Sequence, residues 1–346
     1  MKRTLSLVLA LVIMLSCAVF FAGCSQEDSK NYPVTVDGVT IEKEPEAIVI
    51  LNDCLADVVS YIGYDYKMVG RSIECDQEFL SIVPSVGTPD NPAVDTIINK
   101  GADLVIADST LNEKSRSALA EAGITVLTLA PATNKDKLKT LYSELGAALG
   151  GDVTGRNKGE KAFGDLFGML EQFKTATTGV IKTAAYLYLD SEGLLCTFTK
   201  GSFEQLIFDY NGAMNTFSNQ EEPAIDPTEL RLGSPTCIFY DDENVPEYLM
   251  NDENLCKLKA LNYDRLCCIP LKAFGRQGAT IEQIVYTMID FLNSLDEATP
   301  DEATPDESAK PTESEDTDND TDEDNADSDG SYDGSYTEDG EYDYEN

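Results

Sequence analysis

Short apolar runs alternate with helix-patterned segments through the middle of this chain, and that order leaves few folds open. Ala47 to Leu51 reads as a buried strand and Leu55 to Ile62 as a helix stopped by Gly63. Leu104 to Ala107, Asn112 to Ala122 before Gly123, Ile124 to Leu129 and Lys135 to Leu149 continue the series as strand, helix, strand and helix. Strands separated by helices of about 10 to 15 residues need crossover connections, which implies a largely parallel sheet. Ahead of them, Val34 to Val36 and Val39 to Ile41 flank Asp37-Gly38, a hairpin signal. After Gly155, apolar residues at Ala162, Phe163, Leu166, Phe167, Leu170 and Phe173 recur at intervals of mostly three and four. That stripe marks one helix of about six turns. A second round follows, with Thr183 to Leu189 as strand, Asp190 to Gly193 as turn, Leu194 to Thr199 as strand and Phe203 to Tyr210 as helix. Thr236 to Tyr240 and Cys267 to Leu271 read as strands, and Thr280 to Ser294 as a strongly periodic last helix.

The expected fold is therefore α/β, with two Rossmann-like lobes at 32–150 and 183–295 joined by one long backbone helix within 151–182. Ligands of open α/β sheets bind beyond the carboxyl ends of the strands. Two such lobes facing each other make a cleft lined by strand-to-helix loops.

Both ends of the chain have a different character. Lys2 and Arg3 precede an apolar run from Leu5 to Phe21, followed by Ala22-Gly23-Cys24. A basic flank, a short apolar stretch and small residues describe an export signal over 1–23. Ala22-Gly23-Cys24 resembles the bacterial lipobox, which makes Cys24 the lipid anchor and 24–31 a polar tether. The protein is then expected on the outer face of the cell membrane. At the other end, Asp296 to Asn346 hold 22 acidic residues, one Lys and no Val, Ile, Leu, Met or Phe. Such a segment buries too little apolar surface to offset its chain entropy, so 296–346 is expected to be a disordered acidic tail. Its acids at 316–330 lack the spacing of a calcium loop, and no metal site is assigned there.

The formal charge is −38, and −17 without the tail. Sequence-independent binding to nucleic acid is excluded as an expectation, because nothing compensates the repulsion from phosphates. The chain has no His, which removes imidazole-based nucleophile arrangements and imidazole metal sites. After loss of Cys17 and lipidation of Cys24, seven cysteines remain, with no CxxC pair. The vicinal Cys267-Cys268 points its two side chains to opposite faces if it lies on a strand.

The residues also carry a family resemblance. The lipobox, Val34-Thr35-Val36-Asp37-Gly38-Val39-Thr40-Ile41 and Glu44-Pro45-Glu46-Ala47-Ile48-Val49-Ile50-Leu51 resemble the opening of ABC-transporter substrate-binding lipoproteins for iron–siderophore, haem and cobalamin. Val69-Gly70-Arg71-Ser72, Pro84-Ser85-Val86-Gly87-Thr88, the Gly101 to Ala107 run, Lys200-Gly201-Ser202-Phe203 and Phe274-Gly275-Arg276-Gln277-Gly278 extend it over nearly all of Tyr32 to Leu295. The resemblance implies a monomeric binding protein that delivers a metal chelate to a membrane permease and its ATPase. The metal enters with the chelate, so no resident cofactor is implied. Two departures stand out. Leu51-Asn52-Asp53-Cys54 replaces a more usual Ser-Pro. Gln277-Gly278-Ala279-Thr280 stands where Pro-Gly-Pro-Arg is often found, so a second cleft arginine is missing.

Loop position then nominates the cleft residues. Arg71, Lys200 and Arg276 are the cations placed to clamp a carboxylate or catecholate edge; the alternative for each is a surface charge or a salt bridge to acids such as Glu74 or Asp76. Tyr188 and Tyr240, near the ends of C-lobe strands, are candidates to stack on a ligand, the alternative being core packing. Asn52, Asp53, Thr88, Asp108 and Ser109 complete the expected N-lobe wall. By the resemblance, Asp95 and Glu229 are the permease-docking acids, one per lobe, each a shifted or shortened version of the usual Glu. Two other readings remain: a surface-interaction lipoprotein that keeps the fold without transport, and a secreted hydrolase, for which no acid pair with supporting context identifies itself.

Overall fold

Asp37 and Gly38 both adopt positive φ, 46° and 76°, as a two-residue hairpin requires. They turn β1 (Val34–Val36) back on β2 (Val39–Ile41) in antiparallel register. The computed structural model describes residues 31–177 and 182–297. The expected signal peptide, Cys24, the tether up to residue 30 and the tail from 298 lie outside the described residues. All described residues belong to one unit, Met1–Thr299.

The first sheet grows from β3 (Ile48–Ile50), whose residues are all buried. Asn52 caps α1 (Asp53–Ile62) by accepting the Leu55 N–H, and Gly63 at φ 80° ends it by donating to the carbonyls of Ser60 and Val59. Then come β4 (Met68–Arg71), α2 (Val94–Asn99), β5 (Leu104–Ala107), α3 (Glu113–Glu121) and β6 (Thr125–Thr128). The four strands are parallel in the order β4-β3-β5-β6. One face packs on Val86, Ile97 and Leu119 and the other faces the main core.

Next come α4 (Lys135–Gly150), a wide π-type turn at Gly151–Gly155, and α5 (Arg156–Phe173). At 18 residues, α5 has about five turns, one fewer than its apolar stripe predicts. The two helices meet almost backbone to backbone. A Cβ on Gly159 would run into the Tyr142 carbonyl, and one on Gly146 into that of Gly155.

The second sheet contains β7 (Thr183–Leu189), β8 (Leu195–Cys196), β9 (Met214–Asn215), β10 (Cys237–Tyr240) and β11 (Leu266–Cys268). Strands β11, β10 and β7 run parallel, while β7 also pairs with β9 in parallel and β8 antiparallel. Helices α6 (Phe203–Phe208), α7 (Pro227–Gly233), α8 (Asn244–Asn251), α9 (Lys259–Asn262), α10 (Leu271–Gly275) and α11 (Ala279–Glu297) complete the lobe. Two expected strands are shorter than their apolar runs. The run 194–199 leaves the sheet after Cys196, because the Thr197 and Lys200 N–H groups donate to Pro223 and Gln220. The run 267–271 stops where Pro270 lacks an N–H, and Leu271 opens α10.

One core spans both lobes. Tyr61, Tyr142, Phe163, Phe167 and Tyr210 form a chain of ring contacts with centroids 4.7 to 6.2 Å apart, running from α1 through α4 and α5 into the second lobe. Helix α11 is tied to the first lobe at its start. The buried Asp57 carboxylate on α1 accepts from the N–H of Gly278 (2.6 Å), the N–H of Thr280 (3.2 Å) and the Thr280 hydroxyl (2.8 Å). It serves as an N-cap supplied by a different helix. Gly278 lets this happen, since any Cβ there would strike the Asp57 backbone.

Among the described residues no helix is long and apolar enough to cross a membrane. Their seven cysteines are free, and Cys267 is half-buried where Cys268 is exposed.

Candidate functional site

Loops at the carboxyl ends of the strands meet between the lobes and enclose two adjoining cavities, of about 410 Å³ and about 600 Å³. Cys54, Thr199, Ser202, Glu204 and Gly275 line both. The first adds Asp53 from α1, Tyr188 from β7, Thr197, Phe198 and Lys272. The second adds Pro131, Ala132 and Thr133, which follow β6, together with Lys200 and Gln277.

Local sequence explains how these side chains are held. Ser202 caps α6 by accepting the Gln205 N–H, and Gln205 reaches back to the Gly201 N–H. This variant of the capping box fixes the loop and leaves Glu204, in the first turn, beside the cavity. Among the described residues Glu204 has no salt-bridge partner. On the other wall, the Cys54 thiol donates to the Gly275 carbonyl at 2.9 Å. Burial first, then the Asp53 charge, pushes that thiol far above its ordinary pKa. Tyr188 is half-buried, and burial with nearby Cys196 and Glu204 raises its phenol.

The segment after β11 joins the two lobes. The buried Gln277 amide makes a two-way pair with Ala132, donating to its carbonyl at 2.7 Å and accepting its N–H at 2.8 Å. Tyr142 adds a bond to the Gln277 carbonyl. Lys272 donates to the Glu74 carbonyl at 2.8 Å and the Asp76 carboxylate at 2.9 Å. Arg276 pairs with Asp76 and, through Nε at 3.6 Å, with Asp53. Burial raises the Asp76 carboxyl, but its bonds and charges from Lys272 and Arg276 outweigh this and hold it below the usual carboxylate range.

The expected site residues therefore separate into groups. Asp53, Tyr188 and Lys200 line the cavities, and Arg276 sits behind them, 12% exposed and spanning the lobes. Its ion pair with Asp76 is the salt-bridge alternative raised by the sequence. Asn52 and Asp108 are bonded to each other at 2.7 Å, and Asp108 also accepts from Thr110, so they brace neighbouring loops. Arg71 does not line either cavity: it donates to the carbonyls of Leu80 and Ser72 and so shapes the loop after β4. Thr88 and Ser109 are exposed, outside both cavities. Tyr240 is 9% exposed in the core on the outer face of its sheet, with its hydroxyl 3.3 Å from Glu243. The missing second arginine also has a structural account, since Gln277 and Thr280 are both bound to the first lobe. Asp95 and Glu229 are exposed, each in the first turn of a short helix, α2 in one lobe and α7 in the other.

Cys54, Thr197, Thr199, Ser202, Glu204, Lys272 and Gln277 were not singled out from the sequence. Lys200 to Phe203 and Phe274 to Gly278 did mark two of their loops.

No protein-family model matches the chain. It is 28% identical over 226 residues to the ABC transporter substrate-binding lipoprotein YvrC of Bacillus subtilis (strain 168), covering 60% of this chain and 71% of that protein. It is 27% identical over 133 residues to a cobalamin-binding protein of Halobacterium salinarum, 35% of each chain. In structure it matches the periplasmic haem-binding protein of Pseudomonas aeruginosa with a TM-score of 0.57 at 18% identity, covering 72% of this chain and 93% of that one. The two-lobed α/β architecture is that of such binding proteins.

Proposed function

We propose that this chain is the solute-binding component of an ABC importer, exported and anchored outside the cell membrane through lipidated Cys24. It captures a metal chelate, a ferric siderophore or haem or, next in order, cobalamin, and hands it to the permease. The observation that carries this reading is the cleft: loops from two α/β lobes close around one space at the carboxyl ends of their strands, as ligand sites of this architecture require. The metal arrives inside the chelate, and the chain acts as a receptor with no chemistry of its own.

The test is a thermal-shift panel on the chain freed of its signal and lipid anchor, residues 25–346, with ferric hydroxamate and catecholate siderophores, haem, cobalamin and free divalent metals. A ligand at about 100 times its dissociation constant stabilises the native state by about 2.7 kcal/mol, so one chelate class is expected to raise Tm clearly. No shift with any of them, from a cooperatively unfolding sample, would sink the reading.

Docking follows from the same reading. Asp95 and Glu229 are exposed on separate lobes, which supports their pairing with permease arginines. Asp95→Lys with Glu229→Lys is expected to abolish chelate uptake by cells while ligand affinity stays within about twofold, because rim charges act on encounter and register. Unimpaired uptake removes these two residues from the docking surface.

A further inference from the structure

The charge lining this cleft leans negative: Asp53, Glu204 and Lys272 line the first cavity, and Glu204 and Lys200 the second. Three cations lie in or behind the cavity walls, and each is matched from within the protein. Lys272 and Arg276 are paired with Asp76, Asp53 lies 3.6 Å from the Arg276 Nε, and the exposed Lys200 has Glu221 at 3.8 Å, a pair that water screens. Glu204 lines the first cavity together with Asp53 and has no counter-ion among the described residues. Four carboxylates therefore face three cations, in a chain whose formal charge is −38. To reach Arg276 or Lys272, an anionic ligand must displace Asp53 or Asp76, and those pairs tie α10 and its following loop to the first lobe. Displacing Asp53 leaves a carboxylate without its partner in a largely buried position, 16% exposed.

Resting on the solute-binding reading, we propose that the cleft selects a chelate whose surface is uncharged or positively charged, with Glu204 as the specificity-determining acid. Hydroxyls of Thr199 and Ser202 and the phenol of Tyr188 supply neutral donors for amide or hydroxamate oxygens. A tris-catecholate trianion and the dianionic haem are the chelates this wall disfavours. The charge pattern thereby reverses what the loop arginines suggest in the sequence, where Arg71 and Arg276 read as clamps for an anionic edge.

The experiment titrates the chain freed of its signal and lipid anchor with probes that separate charge from metal: a ferric linear trihydroxamate with a pendant ammonium, an uncharged ferric trihydroxamate, a trianionic ferric tris-catecholate, cyanocobalamin and haem. Affinity is read by calorimetry at two ionic strengths. The tightest probe is expected to be uncharged or cationic, at least about 100-fold tighter than the tris-catecholate. Glu204→Gln is expected to weaken the ammonium-bearing probe by about tenfold and the uncharged trihydroxamate by less than about twofold. Tightest binding by the tris-catecholate or haem overturns this inference and leaves the receptor reading intact. Equal losses for both trihydroxamates in Glu204→Gln overturn the role of the Glu204 charge. No binding by any probe overturns the receptor reading itself, and the inference with it.

Discussion

Asp57→Ala is expected to destabilise the chain by about 3 kcal/mol in urea or thermal unfolding, because it strips a buried acceptor from three donors at once. Those donors, the N–H groups of Gly278 and Thr280 and the Thr280 hydroxyl, open the last helix and lie where water cannot replace the carboxylate. Asp57→Asn keeps the shape and one acceptor oxygen, and its cost is expected to be nearer about 1 kcal/mol. The two variants also differ from the native chain in pH dependence. Burial pushes the Asp57 carboxyl up from 3.8 to about 6, although its bonds from Thr280 and Gly278 pull it down. An acid with a folded pKa above its unfolded one contributes stability that is fully present below the unfolded value and is lost as pH rises through the folded value. Between pH 7 and pH 4 the native chain therefore gains about 2 kcal/mol from this one group, a gain that Asp57→Asn lacks. A stability difference between the two that stays flat over that interval refutes the assignment.

Gly159→Leu is expected to cost about 3 kcal/mol or more, because overpacking a tight helix crossing moves backbones and not only side chains. The nearest atom to a Cβ at Gly159 is the Tyr142 carbonyl oxygen, which is part of helix α4 and cannot swing aside. Glycine normally weakens a helix interior by about 1 kcal/mol relative to alanine, so its presence at 159 reflects the crossing and not local propensity. Gly164, on the same helix with nothing within 4 Å of a built Cβ, is the control. Gly164→Ala is expected to be neutral or slightly stabilising, and equal losses at both positions mean the helices do not touch there.

Much of the fold was legible because its signals are local. Asp37-Gly38, Gly63 and Gly123 stop or turn the chain wherever they occur, with positive φ at each. Strand β4 carries no such signal, being only Met-Val-Gly-Arg, four residues interrupted by a glycine whose reason lies elsewhere. A Cβ on Gly70 would come within 2.7 Å of Val86. The candidate site was harder to read, since loop membership does not reveal where a side chain points. Tyr188 and Tyr240 both lie near the ends of C-lobe strands, yet one lines the cavity and the other packs in the outer core. The side-chain period of a strand is two, so register alone decides between them. Arg71 closes β4 and Arg276 follows α10, each with acids nearby in the sequence. What separates them is the presence of carbonyls at Leu80 and Ser72 for one and of carboxylates from the opposite lobe for the other. Nothing in either local sequence encodes that partner choice.

The chain of rings from Tyr61 to Tyr210 has a consequence for how long such a molecule lasts. A protein whose lobes each had a private core could lose one half transiently and offer it to proteases while the other half stayed folded. Here, opening either lobe uncovers aromatic faces that belong to both, so partial opening costs nearly as much as complete opening. Lifetime is then set by one barrier for the whole body and not by its weaker half. If the chain is exported as proposed, it works where no chaperone hydrolyses ATP to rescue it, and durability of this kind does the job that repair does in the cytoplasm.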